Sequence, residues 1–251
     1  MKKHQIIFGL ALLLALGSLA GRGDLDPFDI LDRIDENMTF DTAYVEMEME
    51  IKIRNRTITK ELISYADGNE KSYIEFLSPA RDRGTKMLKV GDIIKVYYPS
   101  AERIMRLSGH MLRQSMMGSD FSYEDMTERS TEFREKYTGR MLETEVLEGR
   151  ECYVMELTSR EERVTYYRRK IWVDRERFVG LKEELYSQAG KLLKLMTVEK
   201  IETINRRQYP TVVVMEDKLR QDSSTTMILK EVKFDIDIPE GTFTDRKLLE
   251  R

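Results

Sequence analysis

The clearest pattern in the chain runs from Val45 to Arg54, where Val45, Met47, Met49, Ile51 and Ile53 alternate with Glu46, Glu48, Glu50, Lys52 and Arg54. An apolar residue at every second position is the period of a β-strand with one buried and one solvated face. The signature recurs, punctuated by turn chemistry. Thr57 to Tyr65 ends at Asp67-Gly68 and Ser72 to Leu77 at Ser78-Pro79; Thr85 to Val90 turns at Gly91-Asp92 into Ile93 to Tyr98 and stops at Pro99. After Tyr137 come Arg140 to Leu147, a turn at Glu148-Gly149, Cys152 to Leu157, Val164 to Val173 and Val179 to Tyr186. Leu192 to Ile204, Tyr209 to Leu219 and Met227 to Ile238 complete the series, and in the last of these Ile228, Val232, Phe234, Ile236 and Ile238 share a face with Lys230 out of step. Asp26-Pro27, an acid ahead of a proline suited to a first helical turn, predicts a helix to about Asn37 with Phe28, Leu31 and Ile34 on one side.

This pattern predicts a mainly β protein with a few helices: a curved antiparallel sheet or half-open β-barrel of about ten or eleven strands. One-sided strands in that number need a cover for their apolar side. Helices are expected at the N-terminus and in one insertion near residues 106–134. No linker, repeat or low-complexity stretch interrupts the rest, so residues 21–251 read as one domain.

The first twenty residues read differently. Lys2 and Lys3 precede an apolar run from Ile6 to Leu19, and Ser18-Leu19-Ala20 offers small residues where a signal peptidase cuts. The run is shorter than the roughly 20 residues of a membrane-spanning helix. We therefore expect a cleaved signal peptide ending near Ala20 and a periplasmic mature protein. Gly21-Arg22-Gly23 holds no lipid-accepting cysteine. Loss of Lys2 and Lys3 takes the formal charge from -3 to -5.

Composition removes several classes of function. The 42 basic and 45 acidic residues form no block of either sign, which argues against nucleic acid as a partner. His110 and Cys152 are the only soft ligands outside the leader, too few for a zinc site of Cys and His, and no loop has EF-hand spacing; no metal or cofactor is expected. One cysteine forms no internal disulfide, so Cys152 reads as a small buried hydrophobe. Ser108-Gly109-His110 is the one place where a hydroxyl and an imidazole adjoin in sequence. Triads assemble in space and there is no G-x-S-x-G elbow, so no enzyme is expected. Arg168-Arg169-Lys170 reads as a solvated strand edge, with a headgroup or partner patch as the alternative, and Trp172 as core or cavity wall.

Methionine is the compositional excess, at 15 residues. Met105, Met111, Met116 and Met117 crowd into the insertion, which reads YYPSAERIMRLSGHMLRQSMMGSDFSYEDM from Tyr97 to Met126. Ser108 is placed to cap a helix from Gly109 that carries Met111, Leu112, Ser115 and Met116 on one side, and Gly118-Ser119-Asp120 breaks it. Two readings stand side by side: a helix that plugs the core of the sheet, and a lid over an apolar cavity. Methionine, unbranched and polarisable, suits surfaces that accommodate variable apolar shapes.

FLSPARDRGTK (Phe76 to Lys86), followed by the Tyr97–Met126 block with its QSMMGSDFSYEDM core, resembles the outer-membrane lipoprotein-sorting (LolA-like) family, in the branch associated with transporters of the resistance-nodulation-division type. The resemblance extends to Ile238-Pro239 and Phe243. It implies a half-open LolA/LolB-like barrel closed by helices, and a periplasmic carrier or chaperone that binds acyl chains of a lipid or lipoprotein. It also implies partners: an inner-membrane exporter and an acceptor membrane or protein. The strand residues expected to line the cavity are Val45, Met47, Met49, Ile51, Ile94, Val96 and Tyr98. Those of the lid are Met105, Leu107, Met111, Leu112, Met116 and Met117. The rival expectation is an envelope-stress sensor or scaffold of the same fold that binds a membrane regulator.

Overall fold

The computed structural model describes residues 26–126, 128 and 132–250; the leader read at residues 1–20 lies outside them. Helix α1 (Pro27–Met38) starts as its sequence requires. Asp26 Oδ1 accepts from Phe28 N at 2.9 Å, proline opens the first turn, and Phe28, Ile30 and Leu31 are buried. The next six strands are β1 (Thr42–Ile53), β2 (Arg56–Asp67), β3 (Lys71–Ser78), β4 (Lys86–Val90), β5 (Ile93–Tyr98) and β6 (Arg103–Leu107). Beyond the insertion come α2 (Phe133–Lys136), β7 (Tyr137–Met141), β8 (Glu145–Leu147), β9 (Arg150–Ser159), β10 (Arg168–Asp174) and β11 (Gly180–Tyr186). The chain ends with β12 (Leu192–Ile204), β13 (Arg207–Asp217), β14 (Ser223–Phe234) and α3 (Asp245–Leu249).

All fourteen strands join one antiparallel sheet in the order β6-β5-β4-β3-β2-β1-β14-β13-β12-β11-β10-β9-β7, with β8 paired to β9. The chain meanders from β1 out to one edge, passes through the insertion to the other edge, and meanders back until β14 pairs with β1 at the centre. The insertion therefore connects the two edges of the open sheet.

Cross-strand partners share a face, so register fixes which side is inner. Met47, Met49 and Ile51 of β1 lie opposite Leu62, Lys60 and Ile58 of β2 and opposite Leu229, Met227 and Thr225 of β14. Two apolar clusters form on this side. Helix α1 and Phe133 pack on Tyr137, Met155, Leu157, Ile171 and Val173. The insertion packs on β1 to β6 and β14.

The fold differs from the sequence expectation in four respects. There are fourteen strands rather than ten or eleven: Arg103–Leu107, expected to lie at the margin of a helical insertion, pairs with β5, and the single strand expected over Arg140 to Leu147 divides into β7 and β8. A C-terminal helix, α3, caps the outer face, where Leu248 is buried with Tyr73 and Leu88. Ile228 does not share a face with Val232. A bulge leaves Lys230 as an extra residue between the pairs Met47–Leu229 and Glu46–Glu231, and Lys230 reaches Glu48 on the outer side at 3.0 Å. Ile236 and Ile238 lie beyond the strand. Finally, Arg168-Arg169-Lys170 is no edge: β10 lies between β9 and β11, and Arg169 is buried on the inner face. Trp172 is buried on the outer face with Cys152, Val154 and Leu181, and its indole donates to Glu145 at 2.8 Å.

Candidate functional site

The inner face of the first half-sheet is the most distinctive surface in the molecule. Met49, Ile51, Leu62, Ile74, Phe76, Met87, Ile94, Val96 and Leu107, from β1 to β6, form a continuous apolar floor with Met215 and Met227. Met116, Phe121 and Tyr123 of the insertion cover it, and Met47, Met111, Met117, Met126 and Met196 pack around the margin. Ten of the chain's 15 methionines thus belong to or touch one cluster.

Of the residues singled out by sequence, Met47, Met49, Ile51, Ile94, Val96, Tyr98, Leu107, Met111, Leu112, Met116 and Met117 all meet in this cluster. Met105, on edge strand β6 opposite Val96, lines the cleft beside it. Val45 stands apart, half-buried between Ser64 and Val232. Met105 and Leu107 are strand residues rather than lid residues. Ser108 and His110 are exposed on the covering segment.

That segment is not the helix its apolar spacing predicts. Gly109–Arg113 forms one short 3₁₀ turn, Ser108 makes no side-chain cap, and the chain then folds back as a tight hairpin. Met116 N donates to Phe121 O at 2.8 Å, Tyr123 N to Gln114 O at 3.2 Å and Glu124 N to Leu112 O at 2.8 Å. Met117 and Gly118 make the reversal with φ of 52° and 83°; a glycine accommodates that conformation without strain. The hairpin is stapled to β14 by Asp120, whose side chain is fully buried. Its carboxylate accepts from Ser223 Oγ at 2.6 Å and Thr225 Oγ1 at 2.7 Å, and its own N–H donates to Thr225 Oγ1 at 2.8 Å. Arg220 closes the arrangement by donating to Ser119 O at 2.8 Å.

Beside the hairpin lies an open cleft of about 530 Å³, lined by Arg81, Asp82, Pro99, Met105, Met111 and Met117 among others. Its volume lies in the usual range for small-molecule sites, about 300–1,000 Å³. The Tyr98 and Tyr123 hydroxyls meet within it at 3.2 Å, and burial pushes Tyr123 above its ordinary value.

Among the described residues, four buried cations also occupy the inner face, and one of them, Lys89 opposite Ile94, donates to Asn69 O at 2.8 Å and shares a cleft with Glu124, Glu128 and Glu132. Lys60 pairs with Asp82 of the β3–β4 loop. Lys194 pairs with Asp125 of the covering segment, which accepts from Tyr166 Oη at 2.5 Å and Ser122 N at 2.7 Å. Arg169 bonds Glu128, Glu183 Oε1 at 2.8 Å and Tyr137 Oη at 3.1 Å. Burial opposes the Arg169 charge, but Glu183 and Glu128 outweigh it and hold the guanidinium well above its ordinary value; burial pushes Glu128 up against the pull of Arg169. The sequence pattern places Arg169 in a strand edge or headgroup patch and Asp120 in a helix break, and it singles out neither Lys60 nor Lys194. Lys60, Arg169 and Lys194 were nonetheless visible as cations in the apolar phase of their strands.

An open antiparallel sheet with a covered apolar face is the fold of the LolA-like proteins, and solved structures agree. The chain is similar to a DUF1329 family protein from Desulfovibrio piger, with a TM-score of 0.81 and 24% identity over 89% of this chain and 100% of that one. A domain assigned to the outer membrane lipoprotein-sorting proteins, from Vibrio parahaemolyticus, gives 0.80 and 22% over 89% and 98%. A LolA superfamily protein from Nitrosomonas europaea gives 0.72 and 27% over 89% and 99%. Residues 68–250 match the model of an "Uncharacterized protein"-like family, which is more than half of the chain; the chain belongs to that family. No curated protein matches the sequence.

Proposed function

We propose that this protein is a non-catalytic periplasmic carrier that shelters acyl chains of a lipid or lipoprotein and passes them from an inner-membrane exporter to an acceptor across the envelope. The observation that carries this reading is the methionine-rich floor beneath a hairpin cover, with an open cleft at its side. Each CH₂ left in water costs about 0.8 kcal/mol. A carrier therefore needs extensive apolar surface that adapts its shape, and thioether side chains provide it. The hairpin is held by a few polar contacts rather than by a helix packed along its length, which suits a cover that yields. The lipoprotein-sorting assignment of the Vibrio parahaemolyticus domain points the same way.

Protein purified from the envelope is expected to carry lipid or acylated peptide detectable by mass spectrometry, and an apolar fluorescent dye is expected to compete for the same site. A preparation free of cargo that also takes up no dye would sink the proposal.

A second expectation follows from Trp172, the single tryptophan, which lies on the outer face. Saturating the inner face with a non-fluorescent acyl ligand should leave its emission maximum in place, whereas unfolding in urea should shift it to the red. A ligand-induced shift would move the binding surface to the outside of the sheet.

A further inference from the structure

Lys194 differs from Arg169 and Lys60 in where its counter-charge comes from. Arg169 keeps Glu183 on the neighbouring strand β11, and Lys60 keeps Asp82 in the loop that follows β3. The acid paired with Lys194 is Asp125, on the covering segment, and both side chains are almost wholly buried, at 11% and 7% exposure. A buried ion pair is weak support for stability, because a well-packed apolar pair often does as well. What the pair builds is an anion site: a carboxylate held by the Lys194 ammonium and, at 2.5 Å, by the Tyr166 hydroxyl. The site adjoins the apolar floor. Met196, two residues along β12 on the same face, is half-buried against the methionine cluster, and Val213 and Met47 continue that margin across β13 to β1. Asp217 lies beside Lys194 in register, with its Oδ1 accepting from Leu219 N at 2.9 Å.

We infer that Lys194 and Tyr166 form the headgroup site for an anionic amphiphile, and that Asp125 occupies this site until the ligand's carboxylate or phosphate takes its place. An alkyl chain over Met196, Val213 and Met47 brings an anionic head to Lys194, and the displaced Asp125 frees the cover. This inference rests on the carrier reading and names the class of its cargo: anionic rather than zwitterionic, neutral or cationic.

The test compares ligands with one chain and four heads, namely dodecanoate, dodecyl phosphate, dodecyl maltoside and dodecyltrimethylammonium, each displacing an apolar dye from the full mature protein. One charge-assisted contact corresponds to about tenfold in affinity, so both anions should bind about tenfold more tightly than the other two. The ratio of dodecanoate to dodecyl phosphate tells a fatty-acid head from a phosphate head. Lys194→Met should collapse the preference of the protein for the two anions over maltoside. Asp125→Asn, which keeps Lys194 and removes its competitor, should raise anion affinity. Equal binding of all four heads, or a preference that survives Lys194→Met, overturns the inference and leaves the carrier reading standing. Failure of every head to displace dye removes both.

Discussion

Asp120→Ala is expected to lower stability by about 3 kcal/mol or more and to increase uptake of apolar dye. The substitution removes the only carboxylate that accepts from Ser223 and Thr225 in the bonds described above, and Thr225 is fully buried. Two hydroxyls lose their acceptor where water does not reach easily, at about 1–3 kcal/mol for each unsatisfied group. Arg220 loses the nearby charge that supports its hold on the hairpin. The hairpin also carries Met116, Phe121 and Tyr123 into the apolar cluster, so loosening it exposes the floor. Asp120→Asn retains a carbonyl acceptor and should cost about 1 kcal/mol. Urea midpoints report the stability of the three proteins and dye fluorescence the exposure of the floor. A destabilised Asp120→Ala protein with unchanged dye uptake would show that the staple holds β14 rather than the cover.

The contrast between floor and cover explains how much was legible in the sequence. Strand faces are local: the alternation of Val45 to Arg54 states which side of β1 is inner, and eleven of the thirteen nominated residues meet in one cluster. The cover is set by contacts that sequence spacing does not encode. Apolar residues at Met111, Leu112 and Met116 fit a helix and a hairpin arm equally, and the hairpin wins because Met117-Gly118 reverses the chain while Asp120 binds a strand 105 residues away. The bulge at Lys230 is a half-way case. Adjacent polar residues Lys230 and Glu231 mark a slip in phase, and each apolar residue beyond them changes its side. The buried cations announce themselves by breaking the pattern, as Lys60 does between Ile58 and Leu62. Their acids do not, since Asp125 is 69 residues from Lys194.

Arg169→Met is the second large effect, expected at about 3–5 kcal/mol, because it leaves Glu128 and Glu183 on the inner face without their shared cation. The guanidinium is 3% exposed and sits 4.6 Å from the Phe133 ring, 5.4 Å from that of Tyr137 and 5.3 Å from that of Tyr166. It thereby joins α2, β7 and the β9–β10 connection. Acidification should narrow the deficit. Burial already pushes Glu128 up, and removing Arg169 takes away the charge that opposes that rise. A carboxyl whose folded value stands above its unfolded one binds its proton first in the folded state, so stability increases as pH falls through the folded value toward the unfolded one. Urea midpoints for Arg169→Met should therefore approach those of the native sequence between pH 7 and about pH 5. The triple variant Arg169→Met, Glu128→Gln, Glu183→Gln removes all three charges together and should recover most of the loss at neutral pH. Such recovery means that the charges are not retained for stability, and it leaves them the task of holding a polar seam between the two apolar clusters. If the triple variant stays as unstable as Arg169→Met, the packing of the guanidinium on three aromatic rings, rather than its charge, carries the energy.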